Sequence, residues 1–152
     1  MRYVCVTGVS RGIGLGFARA YLERGEHLFG TARNTDAPNV EALAREYPQR
    51  FVPISMDVSD RSSVRAAAAQ IRQSAERLDI LVNNAGTNTH DNERRVEDIS
   101  EENIQEVFDV NTLGPLRVLQ ELMPLLRESE SPRVAMISST AGSIASQGGG
   151  RV

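Results

Sequence analysis

Three glycines in Thr7-Gly8-Val9-Ser10-Arg11-Gly12-Ile13-Gly14 stand directly behind the apolar run Tyr3-Val4-Cys5-Val6. Glycines let a chain turn tightly and bring its backbone close to an anion, and the free N–H groups of a helix start point towards it. Such a pattern has weight only with a strand before it and an amphipathic helix after it. Here Ile13, Phe17 and Tyr21 follow at i, i+4 and i+8. The plain alternative is an ordinary strand–turn–helix corner. Arg33 follows nineteen residues after Gly14, near the offset of about 20 at which a dinucleotide-binding unit places the side chain that meets the ribose. A carboxylate there suits a 2′-hydroxyl and an arginine a 2′-phosphate, and Arg11 adds a second cation within the loop, so the pair favours NADP(H) over NAD(H). Asp36 could reach back in the opposite sense, and two surface arginines in an arginine-rich chain remain the plain reading.

Further polar clusters follow apolar runs: Asp57, then Asn83-Asn84-Ala85-Gly86, then Ser138-Ser139. Asn111 recurs with Ile104, Val107 and Phe108 at helical spacing, which places its amide on an apolar stripe. A buried amide costs about 1–3 kcal/mol for each group left unpaired. Its partner is either a site group or water, or a backbone carbonyl freed by Pro115, which lacks an N–H and bends the helix. Ser139 reads equally as a turn cap and as a site hydroxyl.

These clusters need a frame that brings them together. Apolar or β-branched runs near 3–7, 27–32, 51–56, 79–83 and 133–138 alternate with helical patterns near 12–24, 38–47, 61–77 and 100–127. That alternation predicts βαβ units in an α/β, Rossmann-type, doubly wound parallel sheet with strand order 3-2-1-4-5. Pro53 inside the third run suits an edge strand. In such a sheet all the polar clusters meet along one edge, where ligands bind. The stretch Ser143–Val152, with Gly148-Gly149-Gly150, reads as a flexible loop, and the Asn/Asp/Arg-rich loop Thr87–Val96 either borders the pocket or is a solvated connection.

The chain of 152 residues is long enough for one domain with a real core. Its net charge of −3 gives no electrostatic footprint for nucleic acid or an anionic membrane. No run is long enough to span a bilayer and no secretory leader precedes the first strand. Every basic residue is arginine. The single cysteine, Cys5, reads as a small core residue and suits a reducing cytoplasm. His27 and His90 lie far apart with no cysteine cluster, so no metal site is expected.

Taken in order, the glycine loop, Asp57-Val58, Asn83-Asn84-Ala85-Gly86, Asn111 within Val110-Asn111-Thr112-Leu113-Gly114-Pro115, and Ile137-Ser138-Ser139 resemble the short-chain dehydrogenase/reductase family from residue 3 to about 146. The Gly-Pro-Leu-Arg run after Asn111 and the glycine-rich tail are similar to its C-factor-like branch. The resemblance implies hydride transfer between a nicotinamide cofactor and a carbonyl or alcohol. Gly8, Gly12, Ile13 and Gly14 would hold the pyrophosphate, and Ser10 and Arg11 are cofactor-binding candidates in the same loop. Asp57 would meet the adenine, and Asn84, Ala85 and Gly86 would line the cofactor ribose. Ser139 would bond the substrate carbonyl oxygen, and Asn111 would hold a water in the proton relay.

The family's general acid is a tyrosine followed four residues later by a lysine. The tyrosine is expected at or just past Val152, the only tyrosines are Tyr3, Tyr21 and Tyr47, and lysine is absent. The expectation is therefore a single dinucleotide-binding domain over 1–152 that stops before its catalytic pair and is inactive alone. The alternative is a non-catalytic dinucleotide-binding or interaction module, associating through helix 100–127 or an exposed fifth strand.

Overall fold

A computed structural model of the chain describes residues 1–88, 97, 99–143 and 145. The strands are β1 (Tyr3–Thr7), β2 (His27–Ala32), β3 (Phe51–Ser55), β4 (Ile80–Asn83) and β5 (Arg133–Met136). The helices are α1 (Gly12–Glu23), α2 (Pro38–Glu46), α3 (Arg61–Ser74), α4 (Glu101–Phe108) and α5 (Gly114–Arg127). A π turn, Asp109–Leu113, joins α4 to α5, and a 3-10 turn, Thr140–Gly142, follows β5. All strands pair in parallel in the order β3-β2-β1-β4-β5, as the strand–helix alternation predicts. Pro53 falls on the edge strand β3, where a missing N–H disturbs only one side of the ladder.

Alternation along β1 sends Val4 and Val6 to one face and Cys5 to the other. On the first face they meet Ala18 and Leu22 of α1 and Val40 and Leu43 of α2. On the second, Cys5, Phe29 and Leu81 meet Val64 and Ile71 of α3 and Val118 and Leu122 of α5. Two cores on one sheet are what a doubly wound fold requires, because a parallel sheet must be covered on both sides. Cys5 is fully buried and burial pushes its thiol up to about 12, which fits a packing role. The far ends of the strands are stapled by side chains. Glu26 takes two bonds from the Arg2 guanidinium and one from its backbone N–H, and Asp79 accepts from Tyr3 N–H, Ser129 Oγ and Arg77.

Three sequence expectations are corrected. The buried stripe of α1 is Gly14, Ala18 and Leu22, one residue on from Ile13, Phe17 and Tyr21, and Ile13 is exposed. The single helix over 100–127 is two helices interrupted by the π turn, placed where Pro115 withholds an N–H. The stripe that carries Asn111 is not covered: Ile104 is 59% and Phe108 54% exposed, and Asn111 is exposed with them. Strand β5 also shows Val134 and Met136 to solvent. Residues 89–96 of the polar loop, and 144 and 146–152 of the glycine-rich tail, lie outside the described residues.

Candidate functional site

At the carboxyl ends of the strands lies a cleft of about 580 Å³. Its first wall is the β1–α1 loop. Gly8 leaves β1 with φ +77°, and the N–H groups of Gly8 and Val9 both donate to Thr31 O, at 2.8 and 3.0 Å, which fixes the loop to the end of β2. Gly12 turns into α1 with φ +57° and has open space where a side chain would stand. Helix α1 begins without a side-chain cap at Arg11 and without an acidic residue in its first turn. Its N-terminal donors therefore remain available to an anion. Asn39 Nδ2 donates to Ser10 O at 3.0 Å and ties the loop to α2.

Thr7 and Asn84 lock this wall to the next. Thr7 is buried, and its Oγ1 accepts the N–H groups of Asn84 and Ala85, both at 2.9 Å. Asn84 Nδ2 returns to Thr7 O at 2.8 Å and Gly8 O at 3.2 Å. The side chain of Asn84 is thus a brace between β1 and β4. Sequence reasoning passed over Thr7, whose only signal was a hydroxyl at the last position of a central strand. Its neighbour Asn83 is buried, with Nδ2 near Pro115 O and Met136 Sδ at 3.4 and 3.3 Å.

The third wall follows β3. Asp57 Oδ1 accepts the N–H and Oγ of Ser59 at 2.9 and 2.6 Å, and Ser63 Oγ accepts Asp57 N–H at 2.9 Å. Met56, Val58 and Ser59 line the cleft beside it, with Glu106, Asp109 and Val110 opposite. Of these six, Val58 and Val110 showed in the sequence only as flanks of motifs, and Met56, Ser59, Glu106 and Asp109 carried no signal of their own.

Every residue assigned from sequence to the cofactor lines this one cleft: Gly8, Ser10, Arg11, Gly12, Ile13 and Gly14, then Arg33, Asp57, Asn84, Ala85 and Gly86. Arg11 and Arg33 are exposed, and neither guanidinium makes a hydrogen bond or ion pair with a described residue. Asp36 is not in the lining; its N–H donates to Asn34 Oδ1 at 2.9 Å.

Asn111 and Ser139 are not among the lining residues. Asn111 is neither buried nor bonded to a carbonyl freed by Pro115. Its Oδ1 accepts Thr87 N–H and its Nδ2 donates to Thr87 O, both at 2.8 Å, so it holds the loop after β4 against the π turn. Ser139 lies just past β5, and its carbonyl accepts Gly142 N–H at 3.0 Å to open the 3-10 turn. Among the described residues no three His, Cys, Asp or Glu are grouped to hold a metal, and no helix is long and apolar enough to cross a membrane.

The donor set fits an elongated dianionic ligand. An uncapped helix start and two guanidiniums without a partner among the described residues line it together with Met56, Val58 and Ala85.

The profile of the short chain dehydrogenase family matches residues 2–150. The short-chain dehydrogenase RED3 of Pyricularia oryzae is 34% identical over 145 residues, an alignment that covers 93% of this chain and 58% of that protein. Among solved structures, the NADPH-bound carbonyl reductase from chicken fatty liver superposes with a TM-score of 0.86 at 32% identity, covering 95% of this chain and 62% of that one. A short-chain dehydrogenase/reductase of Burkholderia multivorans with bound NADP gives 0.84 at 31%, covering 98% and 63%. The chain spans only 51–58% of the length of the first curated relatives it matches.

Proposed function

The chain belongs to the short-chain dehydrogenase family, and from that premise we propose that it is the dinucleotide-binding part of an NADP(H)-dependent oxidoreductase acting on a carbonyl or alcohol. The observation that carries this reading is the pair of guanidiniums, of Arg11 and Arg33, that have no partner among the described residues, on a cleft headed by an uncapped helix start. A helix N-terminus offers N–H donors to a pyrophosphate, and a free guanidinium offers a fork to a 2′-phosphate. That two structural neighbours hold NADPH and NADP supports the same choice.

Bound there, the dinucleotide would supply or accept the hydride. The chain's own residues would hold it: the loop Gly8–Gly14 the pyrophosphate, Arg33 with Arg11 the 2′-phosphate, Asp57 the adenine, and Asn84–Gly86 the cofactor ribose. Asn111, with one N–H and one lone pair left over from its bonds to Thr87, steadies a water. Ser139 donates its hydroxyl hydrogen to the substrate oxygen, where negative charge develops. Tyr3, Tyr21 and Tyr47 stand on or beside β1, α1 and α2, and none lines the cleft. We therefore assign the proton donation to none of these three tyrosines, and the sequence holds no lysine to partner one. We assign the chain to the C-factor-like branch on the likeness of its Gly-Pro-Leu-Arg run and glycine-rich tail, and to the cytoplasm on its single cysteine.

The test is NADPH oxidation by the product of the complete reading frame against a panel of ketones and aldehydes. Turnover is expected, falling about 10²- to 10⁴-fold in Ser139→Ala as the substrate oxygen loses its donor. Residues 1–152 alone should show none. Carbonyl turnover by those residues alone would contradict the assignment of the acid.

A further inference from the structure

We propose that Arg117 is a positioning residue that fixes the adenosine side of the cleft; this deepens the reading above and rests on it. Arg117 projects from the first turns of α5 and is only 15% exposed. Its Nη1 donates to Val58 O at 3.2 Å and lies 3.5 Å from Asp109 O, while Nη2 donates to Asp109 Oδ1 at 2.6 Å. Val58 and Asp109 are both cleft-lining residues, one on the loop after β3 and one on the π turn. One guanidinium therefore closes a gap between two walls that no backbone hydrogen bond joins in the described residues. A planar fork with several donors can serve a carbonyl and a carboxylate together, which a single ammonium cannot.

The packing beneath supports the same role. Gly114 shares this face of α5, three residues earlier, and a Cβ added to it would stand 2.9 Å from Val58 Cγ2 and 3.0 Å from Val58 Cβ. Helix α5 thus presses directly on Val58, and Arg117 holds it there from the side. Asp57 precedes Val58, so the clamp sets where its carboxylate stands. On the other flank of the π turn, Asn111 holds Thr87. A single irregular turn is braced to both sides of the cleft, and Arg117 is the brace on the adenosine side.

Two measurements on Arg117→Met, which keeps the apolar stem and the helix, test this. Titration with adenosine 2′,5′-bisphosphate should show affinity about tenfold weaker than wild type, the scale of a lost charge-assisted hydrogen bond. Amide exchange of the nucleotide-free chain should accelerate at residues 57–60 and 109–113 and stay unchanged in β1 and the glycine loop. Arg117→Lys should fall between the two, and it carries the test if the methionine variant fails to fold. Unchanged affinity, unchanged exchange, or acceleration spread evenly over the molecule would each overturn the positioning role. Failure of the wild-type chain to bind the bisphosphate would instead sink the cofactor reading, while the exchange pattern would still decide whether Arg117 holds the loop.

Discussion

Gly14 and Gly16 lie two residues apart on α1, yet a methyl group has opposite consequences at the two positions. At Gly14 a Cβ would stand 2.1 Å from Gly8 O and 2.4 Å from Asn84 Nδ2, inside the brace that joins two walls of the cleft. At Gly16 nothing lies within 4 Å. Gly14→Ala should therefore destabilise the chain by about 1–3 kcal/mol through overpacking, and Gly16→Ala should stabilise it by about 0.5–1 kcal/mol through helix propensity. Urea unfolding of both variants checks this, and shifts of the same sign would contradict it. The sequence shows that the loop is glycine-rich but not why each glycine is there. That depends on Asn84, seventy residues later in the chain and adjacent only in the fold. Arg117 shows in the sequence only as the end of the Gly-Pro-Leu-Arg run, and its role is not legible there because its partners Val58 and Asp109 stand on other elements.

Among elements, β1 and β4 are held at their starts by groups whose ionisation the fold changes. Burial works to raise the carboxyls of Glu26 and Asp79. The bonds that Arg2 gives Glu26, and those that Ser129, Tyr3 and Arg77 give Asp79, outweigh it and hold both below the ordinary range. Their stabilising contribution is complete above the unfolded carboxyl values of about 4 and is lost as pH falls through the depressed folded ones. His27, between the rings of Tyr3 and Phe29 at 5.3 and 5.1 Å, is lowered by burial. It stays neutral in the fold while the unfolded chain takes up a proton, so stability begins to fall below about pH 6.5. A urea midpoint followed from pH 8 to 3 should show a shallow decline that His27→Gln removes, then a steeper one that Asp79→Asn flattens. A midpoint constant down to pH 4 would contradict this. The helical region 100–127 shows what periodicity conveys. Ile104, Val107, Phe108 and Asn111 do share a face, but spacing cannot say whether anything covers it. Pro115 signalled an irregularity, and the π turn is the form it takes.

For the whole molecule, strand order and the meeting of polar clusters at one sheet edge were legible because both follow from connection rules that do not depend on side-chain detail. The exposed side was not. Ile104 and Phe108, read on an apolar stripe, and Val134 and Met136, read within an apolar run, stand open in the fold, in a chain that spans 51–58% of its first curated relatives. The described walls of the cleft come from the ends of β1, β2, β3 and β4 and from the π turn, and the preference proposed for a 2′-phosphate is the central claim. The direct measurement is calorimetric titration of the 152-residue chain with NADPH and with NADH. NADPH should bind at least about tenfold more tightly, the scale of one charge-assisted contact, and Arg33→Ala should bring the two affinities together. Equal affinities in the wild-type chain, tighter NADH, or no binding of either would contradict it.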